Sequence, residues 1–232
     1  TIDHRYDKKK KGTIITVEQT QDTTVSSTFR LPFTVLIDDG TANRYEESLI
    51  KTKQEFFFPS KEPFMVVFDE GFQIPKFLKH KKSDKELTYQ LFHAPNVNDR
   101  VWAAEEMGRK KTGNKNIKAL FYSMESDDFW GVRKESAAAL PRLKMKGKES
   151  KLINIYQNEE DGRVKSEILN LFKDAKGKNA VEFLRDIILY EPNDFLVRSA
   201  VNSLAKINED SLMKYMDFIL ESESHNDIVR NS

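Results

Sequence analysis

Period two governs the first third of the chain, and a helical period governs the rest. Ile2, His4 and Tyr6 alternate with other residues, as do Ile15, Val17 and Gln19 within 13–20. Phe29, Leu31, Phe33, Val35 and Ile37 form the longest alternating run. Such alternation predicts strands with one face on a core. Shorter strands are predicted at 45–51, 55–58 and 64–69, the last with Phe64, Val66 and Phe68 on one side. Asp38-Asp39-Gly40 reads as a turn, and Pro59, Pro63 and Gly71 punctuate strand ends. The lysine run 8–11 reads as a solvated hairpin loop rather than a polyanion patch. Pro32 has no N–H, so its strand lies at an edge or turns its N–H side to solvent. Of the three rings at 56–58, two are expected in the core and one against the neighbouring domain. The expectation for residues 1–78 is a small antiparallel β-sandwich.

Residues 79–95 read as a linker and a first helix. Lys79-His80-Lys81-Lys82 is polar, and Ser83 with Glu86 has the form of a capping box. Leu87, Leu91 and Ala94 continue at helical spacing until Pro95 stops the helix. From residue 96 onward every segment is helical, with helices predicted at 97–108, 115–124, 128–143, 148–157, 162–174, 178–189, 194–206, 210–221 and from 226. A comb of basic residues marks the repeat: Arg100, Arg133, Lys165, Arg198 and Arg230, at steps of 33, 32, 33 and 32. Cap candidates precede them at Asn96 or Asn98, Asp128, Asp161, Asp194 and Asp227. A period in this range predicts a helical solenoid. The helix dipole disfavours a cation in a first turn. The comb therefore predicts a structural ladder of Arg-to-Asp hydrogen bonds between repeats. Residues 194–204 (Asp-Phe-Leu-Val-Arg-Ser-Ala-Val-Asn-Ser-Leu) and 130–140 (Trp-Gly-Val-Arg-Lys-Glu-Ser-Ala-Ala-Ala-Leu) resemble HEAT repeats. Lys165 marks a degenerate third repeat. Ile228-Val229-Arg230 opens a repeat left unfinished, so the 96–232 array is expected to be truncated and the chain a fragment. The fold class expected is α+β in two segregated domains.

Composition narrows the chemistry. Thirty-eight basic against 37 acidic residues give a net charge of +1, which leaves no global field for nucleic acid or anionic lipid, so neither is expected as a partner. Cysteine is absent, which excludes disulfides and thiolate metal sites and suits a bacterial cytoplasm or periplasm equally. No apolar run approaches the roughly 20 residues of a membrane span. His4, His80, His93 and His225 make no metal-ligand spacing, and His93 reads as a capping or core side chain. The pairs Asp127/Asp128, Glu159/Glu160 and Glu105/Glu106 read as caps or solvated faces. Trp102 and Trp130 read as packing between repeats rather than as a groove lining. No catalytic, cofactor-binding or metal residue is assigned.

The order of parts resembles the C-terminal half of the zinc aminopeptidases typified by aminopeptidase N, peptidase family M-one. Thr13-Ile-Ile-Thr-Val-Glu-Gln-Thr-Gln21, followed by Phe29-Arg-Leu-Pro-Phe-Thr-Val35, is similar to the opening of that family's sandwich. Phe64-Met-Val-Val-Phe-Asp69 is similar to its closing strand. Glu86-Leu-Thr-Tyr-Gln-Leu-Phe-His-Ala-Pro95 with Asn98-Asp-Arg-Val-Trp-Ala-Ala104 is similar to its entry into the helical domain. The resemblance implies that zinc and catalysis belong to an upstream domain, with no cofactor in this segment. It implies that this segment supports that domain and shapes the access of peptide substrates. The rival expectation is a protein-binding scaffold. That would be a free-standing HEAT protein, or a relative of the aminopeptidase-like subunit of TFIID, which has the same domain order without catalysis.

Overall fold

The computed structural model describes the chain except residues 23, 25–26, 111–113, 141–144, 146, 176, 222–223 and 232. It is a mixed α+β chain that divides into two compact units, Thr1–Ala103 and Ala104–Ser232.

Among the described residues, the first unit contains six strands in two antiparallel sheets. One has the order β1 (Ile2–Asp7), β2 (Gly12–Glu18), β5 (Lys53–Pro59); the other has β4 (Ala42–Leu49), β3 (Leu31–Asp38), β6 (Met65–Phe68). Asp7 closes the first hairpin by accepting the Lys9 and Lys10 amides at 2.9 and 3.0 Å. The β3–β4 hairpin turns at Gly40, whose φ of 105° is cheap only without a side chain. Ile2, Ile15, Val17, Phe56 and Phe58 of the first sheet share one apolar cluster with Phe33, Val35, Ile37, Val66 and Phe68 of the second. Burying each such side chain is worth about 1.5–3 kcal/mol, which makes this cluster the unit's main support.

Three strand details depart from the alternation rule. Met65 and Val67 are as buried as Val66 and Phe68, because the outer face of β6 joins Leu36, Ala94 and Tyr89 in a second cluster. Phe64 is not on the buried face; it is exposed and stacks on Tyr89 at 5.1 Å. Phe57 is the outward ring of the three. It is about half exposed and lies over Gly12, where an added Cβ would come within 2.5 Å of the ring. Pro32 sits in a central strand, yet β6 pairs only with Val35 to Asp38. The missing N–H thus falls on the stretch of β3 that β6 does not reach.

Residues 79–82 are not a solvated linker. The Ile2 amide donates to the Lys79 carbonyl at 2.7 Å, and Ile2 and His80 form a parallel bridge. From 74 to 82 the even positions turn inward and the odd ones outward, with His80 and Lys82 fully buried. Helix α1 (Asp84–His93) follows, and Ser83 accepts the Glu86 amide at 3.1 Å as expected. The reciprocal half of the capping box is replaced: the Glu86 carboxylate accepts the Val66 amide instead.

Helix α2 (Val97–Arg109) carries the chain into the second unit. There follow α3 (Asn114–Ser126), α4 (Trp130–Ala139), α5 (Glu149–Asn158) and α6 (Gly162–Asn170) with a 3₁₀ turn at Leu171–Asp174. Next come α7 (Lys178–Tyr190), α8 (Asp194–Ile207), α9 (Glu209–Met213) and α10 (Met216–Glu221). Helices α4, α6 and α8 touch in sequence order; α3 packs on α4, α5 on α7 and α7 on α8. Each buries an apolar stripe, as in Leu196, Val197, Ala200, Val201 and Leu204 of α8. The end of the expected helix 128–143 lies outside the described residues. The expected helix 210–221 is broken into α9 and α10, and the one from 226 is a 3₁₀ turn at His225–Asp227, with Asp227 at φ 53°.

Gly108 of α2 faces Ala139 of α4 so closely that an added Cβ would lie 2.9 Å from the Ala139 Cα. Gly108→Ala is therefore expected to destabilise the chain by about 1–3 kcal/mol despite its better helix propensity. Urea unfolding that finds the variant as stable as the parent contradicts this contact.

Candidate functional site

The members of the basic comb make different contacts among the described residues, and the fullest set described is at Arg133. Arg133 donates from Nε and Nη2 to Glu159 at 2.8 and 2.9 Å, in a paired fork. Its Nη1 donates to the Asp127 and Asp128 carbonyls at 2.9 and 3.1 Å. Glu159 is buried and also accepts the Glu160 and Asp161 amides at 2.9 and 2.8 Å. Burial works to raise the Glu159 carboxyl, but the Arg133 hydrogen bonds and those amides hold it below the ordinary range. Arg100 donates to the Ala94 and Pro95 carbonyls at 3.1 and 3.4 Å. Lys165 lies over the Tyr156 ring at 5.0 Å. Arg198 is exposed, and its guanidinium makes no hydrogen bond or ion pair with the described residues. Arg230 turns to the Leu220 carbonyl at 3.0 Å and to Asp227 at 3.4 Å.

The aspartates divide in the same way. Asp161 caps α6 by accepting the Arg163 amide at 2.9 Å, and the Arg163 guanidinium pulls its carboxyl down to about 2. Asp128 is exposed and does not cap; Phe129 is the cap residue of α4, and Asp127 accepts its amide at 2.9 Å. Asn193 caps α8, while Asp194 accepts the His225 amide at 2.8 Å. A second comb accompanies the expected one. Asp127, Glu159 and Glu191 each accept the amide two residues ahead, and the steps between them are 32 and 32. Where Lys165 replaces arginine, Glu191 takes the Tyr156 hydroxyl instead, at 3.3 Å. Trp130 is covered by the Arg163 guanidinium at 3.3 Å.

The first unit holds the densest chemistry, and sequence reasoning missed it. His4 Nδ1 lies 2.8 Å from His80 Nε2, and His4 Nε2 lies 3.3 Å from Glu86. Lys82 is buried; its ammonium donates to the Val66 carbonyl and to Gln90 Oε1 at 2.5 Å, with Glu86 at 3.6 Å. The Gln90 amide donates to the Asp99 carbonyl at 2.8 Å, and Asp99 Oδ2 accepts the Gly71 amide at 3.1 Å. Trp102 covers this group, 5.4 Å from Lys82 and 6.3 Å from His80; it packs here rather than between repeats. His80 Nδ1 and Asp99 Oδ1 have no hydrogen-bond partner among the described residues. Burial drives His80 well below its ordinary range, brings Lys82 down to about 8 and pushes Asp99 up to about 6. The signal was present as even-numbered inward positions from Ile74 to Lys82, masked because three of the five are cationic or titratable.

These groups can fix geometry and hold protons; they do not form a metal centre. Among the described residues no cluster of three His, Asp or Glu could hold an ion. His93 is exposed at the end of α1, with its ring 4.3 Å from Tyr89, and is neither cap nor core. The Gln-Thr-Gln stretch has a local task. Gln19 donates to the Phe29 carbonyl at 2.7 Å and accepts its amide at 3.0 Å, and Gln21 donates to Gln19 at 3.1 Å. It latches the loop ahead of β3.

The fold defines a class: two small antiparallel sheets followed by stacked helices. Among the solved structures similar to the chain is Legionella pneumophila aminopeptidase A in complex with aspartic acid. The TM-score is 0.51 at 12% identity, over 95% of this chain and 29% of that one. The chain thus spans less than a third of the length of the aminopeptidase it matches. No protein-family model matches the chain, and no curated protein matches it.

Two predictions follow from the geometry. Arg133→Ala strands a buried carboxylate and should cost about 3 kcal/mol, whereas Arg198→Ala should stay within about 0.5 kcal/mol. Equal losses in denaturant titrations would refute the distinction. For pH, His80 is depressed in the folded state, so its contribution is present above about 6.5 and lost as pH falls. Asp99 is raised to about 6, so its contribution is present in acid and lost as pH climbs from about 4 to 6. The two slopes oppose each other in that window. Asp99→Asn should unmask the His80 loss and steepen acid destabilisation by up to about 1.4 kcal/mol per pH unit. An unchanged slope between pH 6 and 4 would rule this out.

Proposed function

We propose that this chain is a non-catalytic region of an aminopeptidase-related protein: a β-sandwich joined to a HEAT-like helical solenoid. In this reading it braces a zinc-dependent catalytic domain encoded ahead of it and limits which peptides reach that domain's active site. The observation that carries the reading is the fold likeness to an aminopeptidase over 95% of the chain, through the sheet unit and the helical unit in one order. The Gln-Thr-Gln latch on Phe29 supports it, because it gives the family-like stretch a defined job in the sheets. The zinc-bound water of the catalytic domain would supply the attack on the peptide carbonyl. The residues of this chain would position and screen.

A scaffold without peptidase activity is the second reading. It is favoured by the exposed rings Tyr122, Tyr190 and Phe195 on the helical unit, where solenoids offer surface to partners.

The purified chain is expected to leave aminoacyl amides intact with zinc present, and the polypeptide encoded ahead of it is expected to carry His-Glu-x-x-His. Added to that polypeptide, the chain should shift its preference among peptides of different length. Zinc-dependent hydrolysis by the chain alone would sink the claim of a supporting role. An upstream polypeptide without the zinc motif would favour the scaffold.

A further inference from the structure

Two histidines from distant parts of the sequence meet inside the sheet unit. His4 Nδ1 of β1 lies 2.8 Å from His80 Nε2, and the rings cross edge to face at 85°. His4 Nε2 faces the Glu86 carboxylate at 3.3 Å. A lone pair turned toward a carboxylate is repelled, so this Nε2 carries the hydrogen. In neutral His4 that leaves Nδ1 as the acceptor and makes His80 Nε2–H the donor. A first excess proton, on His4, reverses the bond and moves the His80 hydrogen to Nδ1, which has no acceptor among the described residues. A second excess proton puts an N–H on both facing atoms, and the bond between the rings is lost.

The charges around the pair set its response to acid. Lys82 stands on the same segment as His80, His4 and the Thr1 amino group come from the β1 side, Glu86 from α1 and Asp99 from α2. Burial, Lys82 and His4 drive His80 well below its ordinary range, so the bonded pair is favoured above about 6.5 and gives way as pH falls. Burial works to raise Glu86, but His4, Lys82 and the Val66 amide hold it below its ordinary range, so it stays a carboxylate in mild acid. Asp99 takes its proton near 6, which withdraws a negative charge from beside Lys82.

The pair also sits in the middle of a strap. Residues 74–82 are pinned at one end by Asp69, which accepts the Ile74 amide at 2.9 Å and pairs with Lys76. At the other end Lys82 is held by Val66, Gln90 and Glu86. Between the pins, Phe77 is wholly exposed and Leu78 packs on the apolar cluster of the two sheets. The Ile2 amide on the Lys79 carbonyl and the Ile2–His80 bridge join this stretch to β1.

We propose that the His4–His80 contact is an acid-sensitive clasp: with its hydrogen bond made it holds residues 77–80 against β1, and double protonation releases them and bares the apolar cluster beneath Leu78. The opening is local, because both pins and the sheet ladders remain in place. The test is amide hydrogen exchange of the 232-residue chain, followed by NMR at pH 7 and pH 5 and corrected for the intrinsic pH dependence of exchange. Protection of the Ile2 amide should fall by about tenfold or more, while the amides of β3 keep theirs. His80→Gln presents a donor to His4 and does not titrate, so its Ile2 protection should change by less than about twofold. Ring nitrogen spectra of the parent give a second readout that needs no variant. His80 should become doubly protonated over the same pH interval in which Ile2 loses protection. Ile2 protection unchanged between the two pH values, an equal fall in His80→Gln, a fall shared by β3, or a doubly protonated His80 with Ile2 still protected each overturns the proposal.

Discussion

The Lys82 ammonium lies inside the first unit with 1% of its side chain exposed, and the surrounding residues are arranged to receive it. A buried cation without partners would cost several kcal/mol. Here a carbonyl from β6, the Gln90 amide oxygen and the Glu86 carboxylate of α1 surround it. Gln90 passes the network on to the Asp99 carbonyl in α2, and Glu86 passes it to His4 in β1. Sheet edge, extended segment and both helices are thereby fixed to one another by groups that would each be unsatisfied alone. Apolar contact alone leaves such elements free to slide; directional bonds to a shared cation do not.

The second unit applies the same physics at a different place. Arg133 donates to the carbonyls that end one loop and, through its fork, to Glu159 in the next. Glu159 in turn takes the free amides ahead of α6. A first-turn arginine opposes the helix dipole. The carboxylate beside it and the carbonyls it donates to more than offset that. Lys165 cannot make the fork, and there the carboxylate of the following loop turns to Tyr156. The spacing is kept while the contact changes from an arginine–carboxylate fork to a hydroxyl–carboxylate hydrogen bond.

Much of this was legible in the residues. Period two found all six strands, and helical spacing with Pro95 placed α1 within one residue. Met65 and Val67 broke the alternation because β6 is buried on both faces, which a one-sided rule cannot register. His80 and Lys82 fall in a stretch that reads as a polar linker because its residues are ionisable, although their inward spacing is regular. In the comb, Arg133 and Arg198 look alike in sequence. Only the presence of Glu159 across from the first separates a buried fork from an exposed side chain. The spacing at 127, 159 and 191 was readable, but nothing in the sequence gave it precedence over the basic comb.

Charged residues in this chain accordingly concentrate their structural work where elements end. Helix and strand termini leave backbone groups that apolar side chains cannot satisfy. Long polar side chains reach them: Arg133 to the loop before α4, Glu86 to β6, Gln19 to the start of β3. Junctions held this way keep their geometry under a load applied at either neighbouring element, because moving one partner leaves the other buried and unpaired. The same holds for the titratable group of His4, His80, Lys82, Glu86 and Asp99, which lies in the interior of the first unit beside Trp102 and fixes elements there.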